Sequence, residues 1–253
     1  HEWGYKVTGH ICALTYREAA DIGIDNLEHG FLSSSDFIKD KEPDVCNSRK
    51  IRPSLMDLDK DSPEMEDLIN HLIEKGVALT STLNVFEPYT GREVVPGGGI
   101  EALASQVRER VLTVYARNVN RDSASIRLFK KEMYWEKKFY DAGGLLVAGT
   151  DPTGAGRVVA GYSNQHTLEL FVEAGFTVAE AVNISTLNGA EYLGIEKKTG
   201  SVKKGKTADL VIIDGDLEKD IRNIRKMEIV FKEGTGFNSK GLFESVHGKV
   251  GLN

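Results

Sequence analysis

Three residues of the 253-residue chain have side chains and positions that could do chemistry together: His10, His29 and Asp151. Each stands at or just past the end of a short apolar run that reads as a β-strand. Imidazole nitrogen and carboxylate oxygen suit zinc and similar borderline cations, and a reactive metal site keeps one position open for water. Asp151 could ligate and also act as general base toward that water. One short helix separates the two histidines, so their strands should be neighbours, about 5 Å apart across a sheet. Asp151 comes two strands later and reaches the same centre only if the sheet curls. Singly, each has a plainer reading as a satisfied polar residue at a strand end, and Gly-Thr-Asp-Pro at 149–152 can be a simple turn. Their shared placement at one end of successive strands gives the set its weight.

Other candidates are weaker. Arg157, in the loop after Asp151, could pair with a substrate carboxylate in bidentate geometry, although a solvated arginine is the simpler reading. Tyr89 could reach a substrate from its long loop, where tyrosines more often cover core. His166 opens a helix and reads as exposed or cap-like. Gly97-Gly98-Gly99 lacks the Lys-Ser/Thr of a phosphate loop and reads as a hinge. Cys12 reads as a small buried apolar residue on a helix, and Cys46 sits in a polar loop without an evident partner. Lys203-Lys204-Gly205-Lys206 reads as a solvated turn.

The elements that must position these residues alternate strand and helix. Strands are expected at 6–10, 25–29, 77–82 and 144–149, with helices near 13–23, 63–75, 100–118, 122–142, 164–174 and 177–189. Ser62-Pro63-Glu64 supplies a cap, a first-turn proline and an early acid. Thr177 and Glu180 form a capping box. Residues 33–61 read as one long loop. Such alternation predicts parallel strands with right-handed crossovers, whose C-terminal rim carries the chemistry. From about 195 the pattern changes to turn-rich sequence with strands near 208–215 and 228–234. The expected fold class is α/β: a partial (β/α)8 TIM-type barrel over 1–195, then a small β-sandwich return segment and tail over 196–253. A full barrel needs eight strands and about 250 residues, and four units are visible here.

Composition bounds the function. Thirty-two Lys+Arg against 38 Asp+Glu give a net charge of −6, which argues against a nucleic-acid binder. No run approaches the roughly 20 apolar residues of a membrane span. Two cysteines are too few for a disulfide framework or a thiolate zinc site. The opening His1-Glu2-Trp3-Gly4 is neither a basic nor an apolar leader region. It reads as the last turn of a helix capped by Gly4, as though cut from something longer, so the sequence assigns no localisation.

Val7-Thr8-Gly9-His10, then Gly23 through Gly30, then Ala148-Gly149-Thr150-Asp151, resemble strands five, six and eight of the metal-dependent amidohydrolase superfamily, in its imidazolonepropionase-like and prolidase-like branch. The stretch from Glu173 to Ala190 is similar to that family's last barrel helices, and Gly200 to Ile212 to its return into a β-sandwich. The resemblance implies hydrolysis of an amide or cyclic amide, dipeptide-like substrates included, by water held on one or two divalent metals, usually zinc. His10 and His29 match the single-histidine strands, and Asp151 matches the aspartate that ligates metal and shuttles the proton.

Departures accompany the likeness. The family's His-x-His on its first strand and, in this branch, a carboxylated lysine on its fourth have no counterpart, and His-x-His occurs nowhere in these 253 residues. The expectation is an N-terminally incomplete amidohydrolase, inactive by itself. A catalytically inactive remnant or interaction module, pairing its half-barrel with another copy or chain, is the alternative. A phosphotriesterase-type hydrolase would share the same ligands, and self-association stays open.

Overall fold

A computed structural model describes residues 4–119, 123–152 and 157–251. The elements in chain order are β1 (Thr8–Gly9), α1 (Tyr16–Asp21), β2 (Asn26–Glu28), α2 (Ser48–Asp57), α3 (Pro63–Glu74), β3 (Ala78–Ser81), α4 (Leu83–Phe86), α5 (Ser105–Asn118), α6 (Ser123–Asp141), β4 (Leu146–Ala148), α7 (Tyr162–Glu173), α8 (Val178–Ile184), α9 (Leu187–Tyr192), β5 (Leu210–Ile213), β6 (Met227–Lys232), β7 (Thr235–Asn238) and α10 (Ser239–Val246). They fall into two compact units, one of residues 1–83 and 123–149, the other of 84–122 and 150–253. The part of the N-terminal helix reading that rests on His1–Trp3 lies outside the described residues.

The first unit holds a four-stranded parallel sheet in the order β1-β2-β3-β4. It is an α/β arrangement compatible with part of a TIM-type fold. Its two faces differ in chemistry. Leu27, Leu79 and Leu146 are in register across three strands and each is fully buried. Tyr16, Met65, Leu68, Trp135 and Phe139, on α1, α3 and α6, are buried as well. Each such leucine contributes about 1.5–3 kcal/mol. The other face is polar. Asn26 Nδ2 donates to Thr8 Oγ1 at 2.8 Å, Glu28 Oε1 at 2.9 Å and Thr80 Oγ1 at 2.8 Å. Alternation along each strand therefore sorts leucine to the helices and Asn, Glu and Thr to the opposite side.

Local signals set the helix starts. Thr15 and Glu18 cap α1 reciprocally, Thr15 N to Glu18 Oε2 at 2.7 Å and Glu18 N to Thr15 Oγ1 at 3.0 Å. Ser62 Oγ accepts from Met65 N at 3.2 Å ahead of α3. The stretch 33–61, expected as loop throughout, contains α2. Its Ile51 and Leu55 are buried, so packing overrides a charged and proline-containing sequence.

Two further corrections concern the cysteines. Cys12 and Cys46 form a disulfide, and Cys12 lies before α1 and not on a helix. The bond ties the segment after β1 to the segment after β2. Spacing alone could not pair residues 34 apart in sequence that approach each other only once β1 and β2 lie side by side.

In the second unit α5 packs Val107 and Val111 with Ile100, Leu103, Ala104 and Val159. The expected Thr177–Glu180 box caps α8, Thr177 N to Glu180 Oε2 at 2.8 Å and Glu180 N to Thr177 Oγ1 at 3.2 Å. β5, β6 and β7 form an antiparallel sheet. Its last strand and α10 go beyond the sequence expectation. The Gly97–Gly99 stretch is a packed turn: Gly97 O accepts from Arg225 at 2.6 Å, and a side chain at Gly99 would meet Tyr162 at 2.5 Å. No helix among the described residues is long and apolar enough to cross a membrane.

Candidate metal centre

His10 and His29 meet. Their rings pack edge to face with centroids 4.6 Å apart and planes at 71°, which follows from β1 and β2 being adjacent parallel strands. His29 is buried while His10 is exposed. His29 Nδ1 and Thr82 Oγ1 are 2.8 Å apart. In the tautomer that donates from Nδ1, the ring's lone pair sits on Nε2, as a ligating imidazole requires. His10 Nε2 lies 3.5 Å from Ser33 Oγ, the outer edge of hydrogen-bond reach.

Strand alternation explains His10 but not His29. His10 has the parity of Thr8, and Thr82 that of Thr80, so both belong to the polar face. His29 is out of step with Asn26 and Glu28, and simple alternation would turn it away. Its backbone breaks the alternation: φ is +71°, a left-handed conformation uncommon outside glycine though less so for His, Asn and Asp. That twist sends the ring to Thr82 and His10. Asp151 has φ +39° and follows β4 by three residues, in the second unit. Positive φ at non-glycine residues often accompanies functional positions, and it occurs at two of the three candidates.

A cage around the main chain after β2 holds this conformation. Gly30 N donates to Thr80 O at 2.9 Å. Tyr16 Oη donates to Gly30 O at 2.8 Å, with Glu28 O at 3.1 Å. Phe31 N donates to Glu132 Oε1 at 2.8 Å, and Ser81 Oγ to Glu136 Oε2 at 2.8 Å. Both glutamates are buried on α6. Burial lifts the Glu132 carboxyl well above the usual carboxylate range, and the Glu136 charge lifts it further. Burial also pushes Glu136 up, to about 7, against hydrogen bonds from Ser81 and Glu132. Gly30 has to be glycine, because φ is +58° and a Cβ there would sit 1.8 Å from Glu132 Oε1 and 2.6 Å from Glu136 Oε1. None of Thr82, Glu132 and Glu136 stands out in the sequence. The glutamates look there like a solvated i, i+4 acidic pair, and Thr82 is visible only through its parity with Thr80.

Within the second unit, the guanidinium of Arg157 lies over the Tyr89 ring, 4.6 Å from its centroid, so these two substrate-binding candidates are neighbours. Arg157 is half-buried rather than fully solvated. His166 differs from its exposed, cap-like expectation. It lies within α7, its Nε2 2.5 Å from Glu87 Oε2 and its Nδ1 2.6 Å from Glu169 Oε2. Arg225 Nε reaches Glu169 Oε1 at 2.6 Å, and Arg92 reaches Glu87 Oε1 at 3.1 Å. Burial by itself would lower His166, but carboxylates at both ring nitrogens overrule it and push the imidazole up to about 9.

Two imidazoles of this kind suit a borderline divalent ion but supply only two ligands. Among the described residues no group of three or more His, Cys, Asp or Glu gathers to hold one.

The parallel sheet with one polar face, and the paired histidines at its edge, mark an α/β protein with a candidate metal site, and comparison with known proteins names the family. Residues 61–240 match the amidohydrolase family, and the chain belongs to it. Solved structures that share its fold include prolidase-like proteins and other amidohydrolases. A Xaa-Pro dipeptidase with methionine bound in its active site is 21% identical with TM-score 0.56, over 94% of this chain and 46% of that one. The bottromycin amidohydrolase gives TM-score 0.63 at 17% identity, over 97% of this chain and 52% of that one. The A. niger ochratoxinase gives 0.53 at 18% identity, over 89% and 40%. The chain thus spans about half the length of these structures. Adenine deaminase 4 of Rhizobium meliloti (strain 1021) is 31% identical over 86 residues, 34% of this chain and 13% of that protein.

Proposed function

We propose that this chain is part of a metal-dependent hydrolase of amide or cyclic-amide bonds, dipeptide-like substrates among them. His10 and His29 are the imidazole ligands of one or two divalent ions, zinc foremost. The observation that carries the reading is the edge-to-face imidazole pair at the ends of β1 and β2, with His29 Nδ1 bonded to Thr82. A bound ion would supply Lewis acidity at the carbonyl and bring the pKa of water toward about 7. Asp151, by its match to the family's aspartate, takes a proton on its carboxylate and delivers it to the leaving amine. Thr82 keeps the His29 tautomer fixed. Arg157, steadied by Tyr89, pairs with a substrate carboxylate. The barrel assignment and the division at residue 195 belong to this same reading.

The test is elemental analysis and amide-hydrolysis assay on a polypeptide extended to the length of its relatives, beside the present chain. The extended protein should retain about one or two equivalents of zinc and turn over substrate, while the present chain should not. His10→Ala with His29→Asn should remove at least half of the metal; Asn is chosen because it tolerates the left-handed backbone. Unchanged metal content in that variant, or robust turnover by the present chain alone, overturns the reading.

A further inference from the structure

We propose that Glu132 and Glu136, one turn apart on α6, act as a single positioning unit that sets the ring of His29 from behind the sheet. The proposal rests on the reading of His29 as a ligand for its purpose, though not for its test. The geometry is a two-point clamp. Glu132 Oε1 takes the N–H of Phe31, two residues beyond His29, and Glu136 Oε2 takes the hydroxyl of Ser81, the residue before Thr82. One helix therefore grips both chain segments whose side chains make the His29–Thr82 bond. Both carboxyls also press against Gly30, where a Cβ would meet each of them. The segment has no room to relax while α6 keeps its place.

The arrangement is costly as mere packing. Two carboxyls are taken out of water, and the hydrogen bond between them and their bonds to Phe31 N and Ser81 Oγ offset that cost. Their bonding is directed at the strand ends and not at other helices. Trp135 and Phe139, on the same helix and fully buried, already secure α6 by apolar contact. The glutamates add a fixed direction for the Phe31 N–H and the Ser81 hydroxyl, on the two segments that carry His29 and Thr82.

The experiment is nitrogen-15 histidine side-chain spectroscopy on the metal-free full chain, with the His29 signals assigned by their loss in His29→Asn. Wild type should show slowed exchange of the His29 Nδ1 proton, held toward Thr82 Oγ1. Ser81→Ala removes one clamp point without touching α6. Glu132→Leu removes the other. Each should speed exchange of the Nδ1 proton by about tenfold or more, as local opening is freed, with far-UV circular dichroism unchanged. Glu132→Gln keeps an acceptor for Phe31 N and should restore the wild-type signature, which a purely volumetric role would not distinguish from Glu132→Leu. Wild-type exchange and tautomer in Ser81→Ala overturns the proposal, even should Glu132→Leu fail to fold. A protein extended to the length of its relatives that shows the ordered His29 signature but takes up no zinc would instead count against the metal reading alone.

Discussion

The Cys12–Cys46 disulfide offers the most direct quantitative test. It closes a loop of sequence separation 34 around α1 and β2. In the chain-entropy account, a crosslink of that span removes enough freedom from the unfolded chain to stabilise the fold by about 3.8 kcal/mol at 25 °C. That equals roughly a 500-fold change in the folded-to-unfolded ratio. Residual structure in the unfolded chain lowers the figure, so about 2–4 kcal/mol is the working range. The perturbation is Cys12→Ser with Cys46→Ser, which leaves no lone thiol. Urea unfolding followed by Trp135 fluorescence reports on the first unit, because that side chain is fully buried and its indole N–H bonds Lys60 O at 2.9 Å. The midpoint should fall by about 1–2 M urea, given a typical slope for small units. The slope itself should rise, because the uncrosslinked chain unfolds to a more expanded state. A midpoint change below about 0.3 M at constant slope would refute the reasoning, since the crosslink would then constrain nothing that the unfolded chain otherwise explores.

Two further outcomes are expected. His166 has a folded pKa raised to about 9, above its unfolded value. Its contribution, roughly 2–4 kcal/mol, is therefore full below pH about 6.5 and lost as pH rises through about 9; thermal unfolding of His166→Gln against wild type should show the two converging in that window, and parallel pH profiles would contradict it. Gly30→Ala must displace a buried carboxyl, whereas Gly76, at φ +68° and with nothing within 4 Å of the place a Cβ would take, faces backbone strain alone. Gly76→Ala should cost about 1–2 kcal/mol and Gly30→Ala more than about 3 kcal/mol in urea melts, so equal costs would remove the case for the Glu132–Glu136 contact.

What the sequence made legible was local. Strands could be found as short segments ending at turns between helical stretches, and Ser62 and Thr177 start helices by chemistry confined to a few residues. His10 and His29 could be paired because consecutive strands of a βαβ unit lie side by side. What stayed hidden needed partners distant in sequence. Glu132 looks like any surface acid until Phe31 and Gly30 lie beneath it. Cys46 finds Cys12 only after β1 and β2 align. α2 is held by Ile51 and Leu55 against a sequence that favours loop, and His166 is held charged by Glu169 on its own helix together with Glu87, far away in the chain. The left-handed φ of His29 is the subtlest case, because strand parity alone turns that ring to the wrong side.

The interleaving of the two units constrains the order in which they can fold during synthesis. Residues 84–122 leave the ribosome before β4 and α6, yet they belong with residues 150–253, which come later still. During translation β3 therefore waits as an unpaired parallel edge until Leu146–Ala148 emerges, and the leucine row stays open to other chains for the same interval. Neither unit can be completed as a contiguous nascent segment. Yield of folded protein should depend on how well that waiting edge is shielded, and slow passage through residues 84–145 is when the chain is most exposed to misassembly.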